Sequence, residues 1–501
     1  MSTKAITQPS ESPKTIRKTQ PSSPPRSAFA FWLCTALSLV IALAILYGGL
    51  DRTIVGLLVI ALTITAMLAG VNIAVSMLGA SILGLIELGG WRTVESTFST
   101  SLFSAAASWQ LSVIPLFVLM GIAMWRSGMT AHVYTAAHQW FGGLPGGLAI
   151  GTNFAGAGLA AASGSSVGIS YALGRIAIPE MFRAGYSPAL ATGVVQMAGT
   201  LGQLIPPSVF LVIYAGVAQV PVGPQLLAAV VPGVAVAIGF ALTVLVWVWI
   251  RPDAAPRGDR TGITWVTRMR SLSGVVPLAV VMIAVIGSLF AGLATPTEAG
   301  AVGAIAALVI GWLMLGRGRR GPRATWTFVR ASLSDAAVST ASIFLLLIAT
   351  VLLSRVVTLS QIGSAMSELV VNLNLDTTTF LLLLIVLYLI LGLVLEPLAL
   401  LLITMPVMAA PLAAMDVNLL WFGIFLVLLA EIAIVTPPVG MLSFIVHRLA
   451  QKREVNLGVR VKLTDVFRGA VPFIAMALLL VVILVFFPDI ALWLPNISSA
   501  K

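Results

Sequence analysis

Cysteine is all but missing from this chain: Cys34 is the one example in 501 residues, and it lies inside an apolar run. Disulfides within the chain and cysteine-based metal sites are therefore excluded. Histidine is nearly as scarce, and His132, His138 and His447 sit near expected membrane interfaces with no metal-like spacing. Charged side chains make up 9% of the residues against 59% hydrophobic ones, which excludes an ordinary soluble domain. Nor is there a Walker A loop, a zinc-protease HExxH helix or a GxGxxG following a strand. Energy must come from a gradient rather than from a nucleotide bound to this chain. Short alternating strands are absent too, which rules out a closed barrel.

What the chain has instead is apolar runs of bilayer length, recurring from Phe29 to Phe487. That pattern specifies an all-α polytopic membrane protein. The formal charge of +11 suggests a nucleic-acid partner at first sight. The Lys and Arg residues fall in short loops between spans, however, and act as topology signals, so no nucleic acid is expected. Residues 1–27 are rich in Ser, Pro and Lys and are expected to form a disordered basic tail. The run that follows is long enough to span and shows no clear cleavage site, so 28–53 is taken as a retained first helix.

Basic loops beginning at Arg251, Gly316 and His447 are placed in the cytoplasm with the N-terminus by the positive-inside rule. Crossings are then expected at roughly 28–50, 54–68, 72–89, 111–125, 188–217 and 225–250. The uncharged stretch at about 146–183 must cross an even number of times. Each half around "SGSS" is about 16 residues, or about 24 Å of helix, short of the roughly 30 Å core. A re-entrant hairpin turning at Ser163 to Ser166 satisfies both constraints. After the cytoplasmic loop at 251–273, crossings at about 274–291, 297–315, 335–358, 418–446 and 470–488 leave a second hairpin at about 379–412, its tip at "LEPLA". The C-terminal tail from 491 is then periplasmic. Two units, 54–250 and 274–490, thus follow one order in opposite orientations, the inverted-repeat layout of secondary transporters with about eleven crossings and two hairpins.

A sequence echo accompanies the repeat: "GTLGQLIPPSVFLVIY" follows the first tip, and "EIAIVTPPVGMLSFIV" follows the second. Each paired proline lies in a stretch that must cross. Pro206 and Pro207 are expected to free the carbonyls of Gly202 and Gln203, and Pro437 and Pro438 those of Ala433 and Ile434. Bare carbonyls persist at membrane depth only when another group satisfies them. The first candidate site for a cation and an anionic substrate therefore joins Ser163, Gly164, Ser165 and Ser166 to Gly199, Thr200, Gly202, Gln203 and Pro206, Pro207 and Ser208. The second joins Glu396, Pro397, Leu398 and Ala399 to Ala433, Ile434, Thr436, Pro437, Pro438 and Gly440, with Glu396 as a possible added carboxylate. A plainer reading gives the Ser/Gly run to close helix packing and each Pro-Pro to a kink. The occurrence of both tip-plus-break pairs favours transport.

"ATPTEAGAVGA" reads as a helix start, with Thr295 as cap, Pro296 at the first helical position, Thr297 next and Glu298 reaching back. Arg175, Glu180 and Arg183 lie toward the first hairpin's base, where snorkelling to the interface suffices. Two other functions are compatible with such a chain. A stand-alone sodium-carboxylate symporter would work without a soluble partner. An intramembrane enzyme would use Ser165 as nucleophile, but no base is visible beside it. A purely structural scaffold would leave two broken helices without return.

The segments "SGSSVGIS", "IPEMFRAGYSPALATGVVQMAGTLGQLIPPSVFLVIYA", "ATPTEAGAVGA", "LEPLALLLITMPVMAAPLAAMDVNLLWFGIFLV", "TPPVGMLSF" and "FFPDIALWLP" closely resemble the large membrane (M-type) permease subunit of TRAP, or tripartite ATP-independent periplasmic, transporters. The similarity runs in order from about Ile54 to the C-terminus. It implies a bacterial inner-membrane importer of organic acids, dicarboxylates among them, that couples uptake to sodium and works as an elevator. The resemblance also implies no cofactor beyond sodium ions, which would be the only metal, bound at the two sites above. Two protein partners follow from it: a periplasmic substrate-binding protein and a small four-helix membrane subunit. Residues 1–53 are an addition to the family pattern, too short to be a fused small subunit. "LEPLA" also departs from the Asp-Gly-Thr-like second tip of many relatives.

Overall fold

The computed structural model describes residues 28–102, 108–256, 264–314 and 321–499. Every regular element among them is helical. The first hairpin has arms Gly147–Ser163 and Ser166–Arg183, with Gly164 and Ser165 alone between them. Gly164 closes the first arm at φ +58, a left-handed conformation that glycine adopts without a Cβ penalty. Ser165 opens the second arm as its N-cap, its hydroxyl accepting from the Gly168 N–H at 3.2 Å.

Both arms pack on the helix Pro188–Leu204, which is buried along nearly its whole length. Small residues permit the approach. A Cβ at Gly156 would lie 2.6 Å from the Cβ of Ala198, and one at Gly193 would lie 2.7 Å from the Cα of Gly469 on the helix Leu463–Phe486. Helices that cannot gain from the hydrophobic effect in lipid associate through such close backbone contact. Pro188–Leu204 bends by 45° into Val209–Val217 across the four residues Ile205 to Ser208.

The second unit repeats this order. Arms Thr377–Gly392 and Pro397–Ala414 form its hairpin, bridged by the Tyr388 hydroxyl at 3.1 Å from Thr404 Oγ1. Leu419–Ala433 follows, broken from Met441–Ala450 by residues 434–440. The two broken helices pack on each other. Tyr214 donates to the Leu419 carbonyl at 2.6 Å, and Ser443 donates to Gln196 Oε1 at 2.7 Å.

Around this body stand Arg52–Leu68, Ile73–Thr97, Val113–Arg126, Pro296–Met314 and Pro322–Ser360. The last has 39 residues, about 58 Å at 1.5 Å per residue. The charge pattern predicts a basic loop from Gly316 through Arg330 and a crossing that begins near 335. The helix instead starts at Pro322, where proline fits the first turn and nothing later interrupts it. Further helices lie outside the expected crossings, among them Trp265–Leu272 in the stretch expected to be a loop. Met129–Phe141 precedes the first hairpin and Ile362–Asn372 the second, so each repeat carries a connecting helix at the same place in its order. Another, Asp489–Ser499, occupies the stretch read as a tail, and Ser498 donates to the Phe290 carbonyl at 3.2 Å.

Length and apolarity by themselves select seven spanning helices among the described residues, or up to nine if each bent pair counts as one. Pro397–Ala414, one of the seven, is a hairpin arm. Several of the crossings read from the sequence fall instead on short or broken helices such as Arg52–Leu68, Val113–Arg126 and Leu419–Ala433 with Met441–Ala450. Residues 1–27 lie outside the described residues.

Candidate functional site

The first tip meets its break. A Cβ on Gly202 would stand 3.3 Å from the Ser165 carbonyl carbon and the Ser166 nitrogen, and one on Gly164 would stand 3.8 Å from the Val209 nitrogen. Gly199 packs so closely on Ser170 Oγ and the Ser166 carbonyl that any side chain there would collide with them. Ser163 ends the first arm. Pro206, Pro207 and Ser208 are buried in the break, and the Pro206–Pro207 bond is cis.

Ser208 caps Val209–Val217, accepting from the Leu211 N–H, and its hydroxyl donates to the Gln203 carbonyl at 2.5 Å. One of the two carbonyls expected to be bare is therefore already satisfied once. Each carbonyl has two lone pairs, so a second partner is still accommodated. Thr200 turns inward on its own helix, donating to the Met197 carbonyl at 2.7 Å. Among the described residues, Gln203 Oε1 and Ser170 Oγ are buried without a hydrogen-bond partner.

The sequence reading missed Glu431. This carboxylate is 3% exposed, on Leu419–Ala433 of the second repeat, and Ser166 Oγ lies 2.8 Å from both of its oxygens. Among the described residues no cation pairs with it. The signal that could have found it is its position: an acidic residue six places before Pro437, deep in a stretch that must cross.

The second tip is built differently. Glu396 stands at the N-cap position of Pro397–Ala414, but its side chain makes no capping bond. Pro397 and Ala399 are buried, and Leu398 is half-buried. In the break, the Ala433 carbonyl accepts from the Thr436 N–H and the Ile434 carbonyl from the Leu442 N–H, each at 3.1 Å. Thr436 Oγ1 returns to the Ile432 carbonyl at 2.7 Å, and the Gly440 N–H reaches the Thr436 carbonyl at 3.0 Å. Pro437–Pro438 is cis. The hairpin approaches this break at Gly392, where a Cβ would collide with that of Ala433. Among the described residues no hydrogen bond joins Glu396 to the 436–440 turn.

Thr295 and Glu298 form a reciprocal cap: Glu298 Oε2 accepts from the Thr295 N–H at 2.8 Å, and Thr295 Oγ1 accepts from the Glu298 N–H at 3.4 Å. Pro296 opens the helix behind this cap. Thr297 Oγ1 lies 3.2 Å from Ser112 Oγ. This motif is remote from both tips in its contacts and holds a helix end.

A cavity of about 720 Å³ is lined by Gly164 and Ser165 at the tip, by Phe117, Met120 and Ile343, and by Tyr171 and Arg175 on the second arm. A hairpin tip beside a helix break, a buried carboxylate against that tip and a cavity leaving it make a layout for moving small solutes rather than for acyl or phosphoryl chemistry.

Residues 56–490 match the family model described as "Tripartite ATP-independent periplasmic transporter, DctM component". The chain belongs to this family. The TRAP permease is accordingly a multi-pass membrane transport protein and not an enzyme. It is 30% identical over 455 residues to the C4-dicarboxylate TRAP transporter large permease protein DctM of Vibrio cholerae, covering 87% of this chain and 96% of that one. Identity to the protein of the same description from Pseudomonas aeruginosa is 32% over 402 residues, covering 80% and 89%. In fold it is similar to the YdaH transporter of Alcanivorax borkumensis, with a TM-score of 0.60 at 15% identity over 87% of this chain and 98% of that one. The permease has the helical transporter architecture read from its sequence.

Proposed function

We propose that this permease drives sodium-coupled uptake of an organic acid across the bacterial inner membrane, N-terminus inside and C-terminus outside. A periplasmic binding protein delivers the substrate, and a separate small four-helix membrane subunit completes the complex. The observation that carries the reading is the cluster at the first tip. The Glu431 carboxylate accepts from the Ser166 hydroxyl, and among the described residues the Ser170 hydroxyl and Gln203 Oε1 are buried without a hydrogen-bond partner. A buried carboxylate is costly unless a positive charge accompanies it, and hydroxyl, amide and carbonyl oxygens suit a hard cation.

The arm beginning at Ser166 directs a helix N-terminus at the same point, which favours an anion beside the cation. Sodium entry orders the tips, and the carboxylate binds between them. The hairpin-bearing body then slides against the surrounding helices. The cavity from Ser165 to Arg175 supports an inward-facing state, because Arg175 lies toward the hairpin's cytoplasmic base. Each cation moving inward contributes about 2.3 kcal/mol per 100 mV. Steep accumulation of a carboxylate anion needs more than one cation per negative charge. The C4-dicarboxylates in the names of the relatives make succinate the first substrate to test.

The test is thermal unfolding of purified protein in NaCl against choline chloride at matched ionic strength, for wild type, Ser165→Ala and Pro437→Ala. A ligand of the folded state adds about 2.7 kcal/mol at one hundred times its Kd. Sodium is expected to raise the melting temperature of wild type and to do so less in the variants. Identical curves in both salts for all three would remove sodium coupling at these sites.

A further inference from the structure

Arg175 does more than snorkel. It lies ten residues beyond Ser165 on the second arm, about 15 Å along the helix. Gly168, Tyr171 and Arg175 fall on one side of that arm, at spacings of three and four, and with Gly164 and Ser165 at the tip they line one cavity. Among the described residues Arg175 is the one charged residue in the cavity's lining. An anion released from the tip into this cavity therefore finds a cation at Arg175.

That cation is engaged. Arg175 Nη2 lies 3.5 Å from Glu454 Oε1, with the two side chains 53% and 61% exposed. Glu454 sits on the single helical turn Arg453–Asn456. Directly before this turn, Lys452 Nζ lies 3.1 Å from the Tyr171 hydroxyl and 5.4 Å above its ring. The turn is thus fastened to the cavity lining at two neighbouring positions of one helix face. A long ion pair between half-exposed side chains is weak and exchanges readily. Lys452, within reach of the same place, supplies a second positive charge.

We propose that Arg175, with Lys452 beside it, is a carboxylate-binding release station for the transported anion, and that the Glu454 carboxylate occupies it between turnovers. This rests on the organic-acid reading above and adds to it a specific place on the exit path. Glu454 competes with the departing substrate, so it speeds release and limits rebinding from the inside.

Competition and simple anchoring predict different signs. If the pair only anchored the turn, removing either partner would have the same effect. Under competition, Glu454→Gln frees the station and tightens binding from inside, whereas Arg175→Gln removes the station and weakens it. The experiment reconstitutes the full three-part transporter in vesicles, with labelled succinate outside and unlabelled succinate inside. It reads the internal concentration that halves the initial uptake rate.

The expected result is that Glu454→Gln lowers this concentration about two- to fivefold, the range set by a half-exposed pair, and Arg175→Gln raises it by a similar factor. Glu454→Asp, which keeps the carboxylate, should return toward wild type. Wild-type uptake with both variants shifted in the same direction, or unshifted, overturns the release station and leaves the transport reading standing. Absence of sodium-dependent succinate uptake by the wild type overturns the C4-dicarboxylate reading and the station that rests on it.

Discussion

Glu431 and Ser166 are 265 positions apart and share the most buried charged contact in the membrane body. Glu431→Gln keeps the shape and one acceptor while removing the charge. If a cation balances this carboxylate, the variant should remain folded and lose most of its sodium-dependent rise in melting temperature. Comparing NaCl with choline chloride checks this directly. Glycines give a second residue-scale test. Gly79 has nothing within 4 Å of a built Cβ, whereas a Cβ on Gly469 would sit 2.9 Å from the Gly193 Cα. Gly79→Ala should be neutral or stabilise by about 0.5–1 kcal/mol through lower unfolded-state entropy. Gly469→Ala should destabilise by about 1–3 kcal/mol as the two helices are pushed apart. Thermal denaturation of the two variants side by side separates the cases.

At the scale of elements, the breaks are the features most dependent on sequence. Residues 205–208 turn one helix into two at 45°, and Ser208 both caps the second half and bonds the Gln203 carbonyl at the end of the first. Ser208→Ala should therefore cost about 0.5–2 kcal/mol from the lost cap alone. It should also disturb the first site, seen as a right-shifted sodium titration of stability. The first hairpin was legible because each half around its tip is too short to span and the charge pattern demanded an even number of crossings; the second was legible from that parity alone, since its arm Pro397–Ala414 is long and apolar enough to cross. The connecting helices Met129–Phe141 and Ile362–Asn372 were not. They lie between recognisable segments and have neither the length nor the unbroken apolarity that marks a span. Glu431 escaped for a different reason: its partner lies in the other repeat, and a contact across that separation leaves no trace in local spacing. The 39-residue helix was cut short because its first turns are basic, and charge marks the membrane edge without ending a helix.

For the whole molecule, the first helix is the most separable part. Among the described residues Ala28–Tyr47 contributes Ile41 and Ile45 to the buried core; its Ser38 donates to Thr65 Oγ1 at 3.1 Å, and it precedes the family match at residue 56. Removing residues 1–47 should leave the sodium-dependent stabilisation of the remaining body unchanged, while membrane insertion falls because the first topology signal is gone. Sodium-dependent melting and membrane yield, measured on the same preparation, report the two effects separately. The pair between Arg126 of the first repeat and Asp335 on the long helix of the second, at 2.5 Å and part-exposed, ties the surrounding helices together. Charge reversal at both positions should restore what either reversal alone removes, within about 1 kcal/mol.

The hydrogen bond between Ser166 and Glu431 carries one more implication. Setting Pro206 against Pro437 places Thr200 opposite Glu431, and Thr200 spends its hydroxyl on the Met197 carbonyl of its own helix. The two halves are thus alike in shape and unlike in charge. Turning the molecule over would exchange its hairpins but not its electrostatics, so the repeat that shapes the backbone does not extend to the charge buried at the first tip.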